Sequence, residues 1–145
     1  MRGSLNWQVN TVLNQIKGLG ESKFKTRQLS VLLGQNGRKV SPKVHSFKYT
    51  KEVKRTALDL SVFSKEIFQV KDIELLDDDI IISWIENKIY DGITYRTLST
   101  YISHLVKFFY SLQLYSYYKN DCWNTELNRR DILIKARQIA RIECQ

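Results

Sequence analysis

The side chains best suited to contact a phosphate backbone lie in the segment 92–109. Its apolar residues recur every three or four positions, which predicts an amphipathic helix that begins near Thr94, after the glycine stop at Gly92. The other face of this helix combines short hydroxyls with cations. Hydroxyls donate hydrogen bonds to phosphate oxygens without bulk, and cations neutralise the phosphate charge. The pattern alone favours a solvated helix face with an N-cap threonine, and the alternative is a DNA-binding face formed by Thr94, Arg96, Thr97, Thr100, His104 and Lys107.

A second group of cations lies in a longer predicted helix, residues 46–69. An apolar stripe from Tyr49 to Ile67 persists along this helix, as expected for an element packed on a core. The cations that crowd its first half are also expected to bind DNA: Lys48, Lys51, Lys54 and Arg55. A further set would follow the DNA backbone more loosely, as an arm: Lys23, Lys25, Arg38, Lys39 and Lys43.

The positive charge of the chain is unevenly distributed. The net charge is +8, and residues 1–56 hold 12 Lys and Arg against 2 Asp and Glu. Residues 57–92 are acidic, with 3 against 9, and residues 93–145 are again basic, with 8 against 4. A basic surface attracts nucleic acid largely independently of base sequence. Basic small domains that bind no polyanion are also common, so charge alone leaves both interpretations open.

Residue patterns for catalysis or metal binding are sparse. His45 and His104 have no partners at metal-ligand spacing, and no phosphate-binding glycine loop or nucleophile–base pattern is evident. The acidic run 77–79 suits a helix cap better than a magnesium site. We therefore expect no enzyme complete in these residues, no metal, no cofactor and no small-molecule substrate.

The location suggested by the sequence is the cytoplasm. Cys122 and Cys144 have no metal spacing and are typical of reduced cytosolic thiols. No signal peptide or membrane-spanning run is evident, so no membrane partner is expected.

The helical periods predict an all-α fold. Helices are expected at 4–17, 22–33, 46–69 and 77–90, from Thr94 through Leu112, and from Thr125 to about Ile142. A loop at 34–43 and an aromatic, polar stretch from Tyr115 to Trp123 separate the elements. The predicted organisation is a basic N-terminal arm (1–44), a helical body (45–124) and a connecting helix (125–145).

The helix after Gly92 resembles the core-binding, SAM-like domain of tyrosine recombinases of the phage-integrase type. In that family a glycine stop is followed by a helix with a recurring pattern of hydroxyl, aromatic and apolar residues. The matching residues here are Gly92, Ile93, Thr94, Thr97, Leu98, Tyr101, Ile102, Ser103, Leu105, Phe108 and Phe109. The preceding helix, with Ile81, Trp84 and Ile85, and the long helix from Ser46 are also similar, so the resemblance covers about residues 45–114.

The resemblance implies a four-to-five helix bundle that closes over one face of duplex DNA at a recombination site, beside other recombinase protomers. A separate catalytic domain would supply the nucleophilic tyrosine, and we expect it to be absent from these residues. Tyr115, Tyr117 and Tyr118 are accordingly not expected to be nucleophiles. Cations of the last helix would lie on the exposed side of a connection toward the catalytic domain: Arg129, Arg130, Lys135, Arg137 and Arg141.

Two other functions remain open from sequence. One is a helical protein-interaction or oligomerisation module that uses the aromatic run from Phe108 to Tyr118 as an exposed patch. The other is a stand-alone helix-turn-helix regulator, which would require a dimer and a palindromic site.

Overall fold

The structure, a computed structural model, describes residues 3–18, 27–28, 41, 43–119, 123, 125 and 128–143. Within these ranges it contains five α-helices and no β-strand, which confirms the all-α class. The helices are α1 (Leu5–Leu13), α2 (Phe47–Phe68), α3 (Asp78–Tyr90), α4 (Tyr95–Tyr118) and α5 (Arg129–Glu143). Short 3₁₀ helices follow α1 at Asn14–Ile16 and precede α3 at Ile73–Leu75. The predicted helix 22–33 lies outside the described residues, apart from Arg27 and Gln28, which are helical.

Local capping determines where the central helices begin. The side chains of Ser46, Asp77 and Thr94 accept hydrogen bonds from the backbone N–H groups three residues later, at the starts of α2, α3 and α4. Gly92 ends the turn after α3 with φ +88°, a left-handed conformation that glycine adopts without steric cost. The predicted starts of these three helices and the glycine stop are therefore confirmed.

Two predicted boundaries near the C-terminus were wrong. The helix α4 continues through Leu112 to Tyr118, because Leu112 and Ser116 extend its buried stripe by another turn. The last helix begins at Arg129 rather than at Thr125. Its start is set by Asn128, whose side-chain Oδ1 accepts the backbone N–H of Asp131 at 3.1 Å.

The core is formed mainly by α1, α2 and α4. Apolar side chains from all three helices are fully buried together, including Val12, Val53, Leu60, Ile102 and Phe108. They are arranged in the stripes expected for helices that pack on one another.

The segment predicted as part of an N-terminal arm contributes to this core. Val9, Val12 and Ile16 are buried in it, and the Ser111 hydroxyl of α4 donates to the backbone carbonyl of Val12. Residues 5–16 therefore pack as part of the bundle.

A short backbone pairing joins the end of the first segment to the beginning of α2. The Gly18 N–H donates to the Val44 carbonyl and the Val44 N–H to the Ile16 carbonyl, each at 2.9 Å. His45 reinforces this pairing, because its Nδ1 lies 3.0 Å from the Gly18 carbonyl and its Nε2 lies 2.7 Å from the Ser41 hydroxyl. This pairing positions Lys43 against α4.

The last helix packs on the bundle. Ile132 and Ala136 of α5 are buried in the common core, and Lys135 forms an ion pair with Glu86 of α3 at 3.1 Å. The first turn of α5 also contacts α4, because Arg129 donates hydrogen bonds to Ser99 and Ser103 there.

Candidate nucleic-acid interface

The two predicted DNA-binding helices, α2 and α4, pack side by side. The ring of Tyr49, in the first turn of α2, meets the His104 ring of α4 edge-on at 5.5 Å between centroids. The Lys107 ammonium lies 4.5 Å from the centroid of the same tyrosine ring. The predicted DNA-binding cations therefore lie on two helices that contact each other.

Three of the predicted cations on α2 lie together on its exposed side. Lys48, Lys51 and Arg55 are exposed and recur at intervals of three and four residues, so they occupy one face of the helix. Lys54 is half-buried and is therefore not counted with them.

The exposed stripe of α4 is shorter than the sequence suggested. Arg96 and Thr100 are exposed and Lys107 is half-buried, at spacings of four and seven residues that place them along one side. We call Lys48, Lys51 and Arg55 of α2, with Arg96, Thr100 and Lys107 of α4, the basic face.

The hydroxyls at the start of α4 are largely used within the protein. Thr94 accepts the Thr97 backbone N–H at 3.1 Å and donates to the Thr97 hydroxyl at 2.9 Å. Thr100 donates to the Arg96 carbonyl at 3.2 Å. Threonine in a helix bonds to its own backbone in this way, so these groups hold the helix end as well as facing solvent.

His104 is not on the exposed side of α4, which corrects the sequence-based assignment. Its side chain is only 4 % exposed, and its Nδ1 lies 2.7 Å from the Thr56 hydroxyl of α2. Burial lowers the pKa of His104, Glu52 partly opposes the decrease, and Lys107 adds to it. His104 therefore joins α2 to α4 and cannot contact DNA while this packing persists.

Lys107 is also engaged within the protein. Its ammonium donates to the Lys43 carbonyl at 3.2 Å in addition to lying over Tyr49. Among the predicted arm cations, the half-buried Lys43 is the one that the structure describes. Lys23, Lys25, Arg38 and Lys39 lie outside the described residues.

Ion pairs engage some of the described lysines outside the basic face. Lys88, Lys119 and Lys135 each lie within 3.3 Å of a carboxylate, and none of them belongs to the basic face. In the part of the chain that the structure describes, no carboxylate lies within 4.0 Å of the cationic groups of Lys48, Lys51, Arg55 or Arg96. These four charges therefore lack a counterion from the described protein.

Arg129 is a candidate that the sequence reasoning placed wrongly. It was expected on the exposed side of the last helix, yet it is half-buried against α4. Its Nη1 donates to the Ser99 hydroxyl at 3.1 Å, and its Nη2 donates to the Ser103 hydroxyl. Burial lowers the pKa of Arg129. No local sequence pattern connects residue 129 with residues 99 and 103, since only packing brings α5 to this site.

The other described cations of α5 lie on its exposed side, as the sequence predicted. Arg130 is exposed, and Lys135 is exposed and paired with Glu86. The Arg137 guanidinium stacks on the Tyr95 ring at 4.7 Å from its centroid and donates to the Tyr95 hydroxyl at 3.2 Å. The side chain of Arg141 lies outside the described residues.

The aromatic run that could form an interaction patch is mostly internal. Phe108 and Phe109 are buried, and Phe109 stacks on Trp123 at 5.6 Å between centroids. Tyr117 and Tyr118 are exposed, at 75 % and 68 %.

Two further properties concern only the described residues. No group of three or more His, Cys, Asp or Glu side chains there is arranged to hold a metal ion. None of the helices there has the length and apolar content needed to cross a bilayer.

Comparison of the chain with protein-family models, with curated proteins and with solved structures found no match.

Proposed function

We propose that this chain binds duplex DNA through the basic face. The observation that supports this most directly is the grouping of exposed cations on α2 and α4, with no described carboxylate within 4.0 Å of Lys48, Lys51, Arg55 or Arg96. Cations without a protein counterion are available to neutralise phosphates and to release the ions condensed on DNA.

The geometry favours contacts with the DNA backbone over contacts with bases. Arg96 and Lys107 are eleven residues apart on α4, which corresponds to about 16 Å along a helix. The threonine hydroxyls between them are already bonded to the helix. Most of the binding free energy would therefore come from charge neutralisation, which positions a protein on DNA without reading its sequence.

We further propose that the bundle is the SAM-like core-binding domain of a tyrosine recombinase. The resemblance over residues 45–114 supports it, and its long helices and the Gly92 turn have the expected order. In this proposal the protein is bacterial or phage-encoded, and its domain clamps one face of the recombination site in the cytoplasm. Strand exchange requires a separate catalytic domain. The fragment itself would not cleave DNA.

Other recombinase protomers on the same DNA are the second proposed partner. The exposed rings of Tyr117 and Tyr118 at the end of α4 favour a contact between proteins at that end of the bundle. Sedimentation at micromolar concentration, with and without DNA, tests this proposal. A chain that remains monomeric in both conditions contradicts it.

The DNA proposal is tested by titrating a duplex of about 30 base pairs at several salt concentrations. Neutralisation of some five to eight phosphates gives a log–log salt slope of roughly −4 to −7. A double variant, Lys48→Gln with Lys51→Gln, is expected to make the slope shallower by roughly 2.

The matched control is Lys65→Gln with Lys71→Gln, which removes the same charge from exposed positions at and beyond the other end of α2. This control is expected to change the slope much less. A flat salt response of the unmodified chain contradicts DNA binding, and equal effects of the two double variants contradict the basic face as its site.

A further inference from the structure

Arg129 holds a positive charge in a partly buried position without a counterion among the described residues. Within the described residues, no carboxylate lies within 4.0 Å of its guanidinium. Its hydrogen-bond partners on α4 are neutral, namely Ser99 and Ser103, and its Nε–H is buried without an acceptor. A partly buried charge costs free energy unless an opposite charge compensates it.

The surroundings of Arg129 are also suited to an anion. The charge of Arg129 acts on the hydroxyl of Tyr49, opposing the rise that burial and Glu52 cause in the tyrosine pKa. Lys107 lies over the ring of the same tyrosine. The charges of two cations from different helices therefore act on Tyr49.

The other polar groups near Tyr49 do not bind an anion. The Nε2 of His104 is buried without a hydrogen-bond partner, but as the acceptor of a neutral imidazole it offers no donor. Glu52 contributes a negative charge that acts on both Tyr49 and His104.

We propose that Arg129, in the positive field of Lys107, binds one phosphate group where α5 meets α4. The inference rests on the proposed DNA function, because the phosphate would belong to the DNA backbone beside the basic face. A guanidinium offers several donors in a fixed plane, and the charge-assisted bonds that it makes with phosphate are strong. Binding would also hold the start of α5 against the bundle.

A purely structural role for Arg129 predicts different behaviour. The bonds to Ser99 and Ser103 would then stabilise the helix packing regardless of whether phosphate is present. The experiment must therefore measure phosphate binding and DNA binding as well as folding.

The first measurement follows the Nε–H resonance of Arg129 in the full chain during a titration with inorganic phosphate. We expect a saturable shift that is larger than that of the neighbouring, exposed Arg130. A Ser103→Ala variant is expected to weaken the phosphate response several-fold, because it removes the acceptor that orients the Arg129 guanidinium. No response at Arg129, or an equal response at Arg130, contradicts the site.

The second measurement compares DNA affinity and salt slope for Arg129→Gln, Arg129→Lys and Arg130→Gln. We expect Arg129→Gln to weaken binding about tenfold and to make the slope shallower by about 0.9. Arg129→Lys keeps the charge and is expected to retain the slope with a smaller loss of affinity. If Arg129→Gln fails to fold, the Arg129→Lys and Ser103→Ala variants decide whether Arg129 binds a DNA phosphate.

The two proposals fail in different ways. Suppose that the unmodified chain binds DNA with a steep salt slope, but Arg129→Gln binds DNA as Arg130→Gln does. The phosphate site is then contradicted and the DNA function stands. If Arg129→Gln does not fold, the same conclusion follows when both Arg129→Lys and Ser103→Ala match Arg130→Gln. If the unmodified chain shows a flat salt slope, DNA binding is contradicted and Arg129 is no DNA contact, whatever inorganic phosphate does.

Discussion

The Nδ1 of His104 and the hydroxyl of Thr56 lie 2.7 Å apart in the buried contact between α4 and α2. The Thr56 hydroxyl has one proton, and it donates this proton to the Glu52 carbonyl at 3.2 Å. The hydroxyl must therefore accept from Nδ1–H, which leaves Nε2 of the neutral imidazole as an unprotonated acceptor. This pair joins the two helices that hold the basic face.

The burial of His104 predicts that stability depends on pH. Its pKa in the folded chain lies below the unfolded value of about 6.5, so the unfolded chain binds a proton first as pH falls. The contribution is fully present above about pH 6.5 and is lost as pH falls through this value toward the folded pKa. Urea unfolding between about pH 7.5 and pH 5.5 should show this loss, and it should be smaller in His104→Gln. Identical pH dependences of the two proteins would exclude His104 as the cause.

Removal of the Thr56 hydroxyl is expected to destabilise the fold. In Thr56→Val the side chain keeps its volume, but the Nδ1–H of His104 remains buried without an acceptor, which costs about 1–3 kcal/mol. Thr56→Ser is the control, because it retains the hydroxyl. Chemical denaturation measures both variants. A valine variant as stable as the serine variant would show that this hydrogen bond contributes nothing.

A side chain at Gly92 is expected to strain the backbone despite the open space around this residue. No atom lies within 4 Å of a Cβ placed there, but its φ of +88° is strained for residues with side chains. Gly92→Ala should therefore lower the free energy of unfolding by roughly 1 kcal/mol, and Gly92→Asn by less, because asparagine adopts left-handed conformations more readily. Thermal unfolding checks the order. An alanine variant more stable than the asparagine variant would contradict the strain.

The two ends of the aromatic run in α4 should differ sharply in their effect on stability. Phe108 is fully buried, so Phe108→Ala is expected to cost about 3–5 kcal/mol. Tyr117 is 75 % exposed, and Tyr117→Ala should change the free energy of unfolding by about 0.5 kcal/mol or less. Equilibrium unfolding of both variants measures this contrast. A large loss in Tyr117→Ala would show that this ring is packed in solution.

Sequence alone determined the helical class and the starts of α2, α3 and α4. Caps such as Ser46, Asp77 and Thr94 bond to N–H groups three residues away, so the residues that decide these boundaries are neighbours in the chain. The exposed cations of α2 could be predicted for a similar reason, because a helical period separates one face from the other.

Only the tertiary structure decided which polar side chains of α4 face solvent and where Arg129 lies. His104 is buried because Thr56, 48 residues earlier, offers a hydrogen bond across the helix contact. The N-terminal helix joins the core through contacts such as Ser111 with Val12, 99 residues apart. Arg129 reaches Ser103 because α5 folds back on the bundle. Such contacts depend on how whole helices pack, and the periodicity of one helix contains no information about its neighbours.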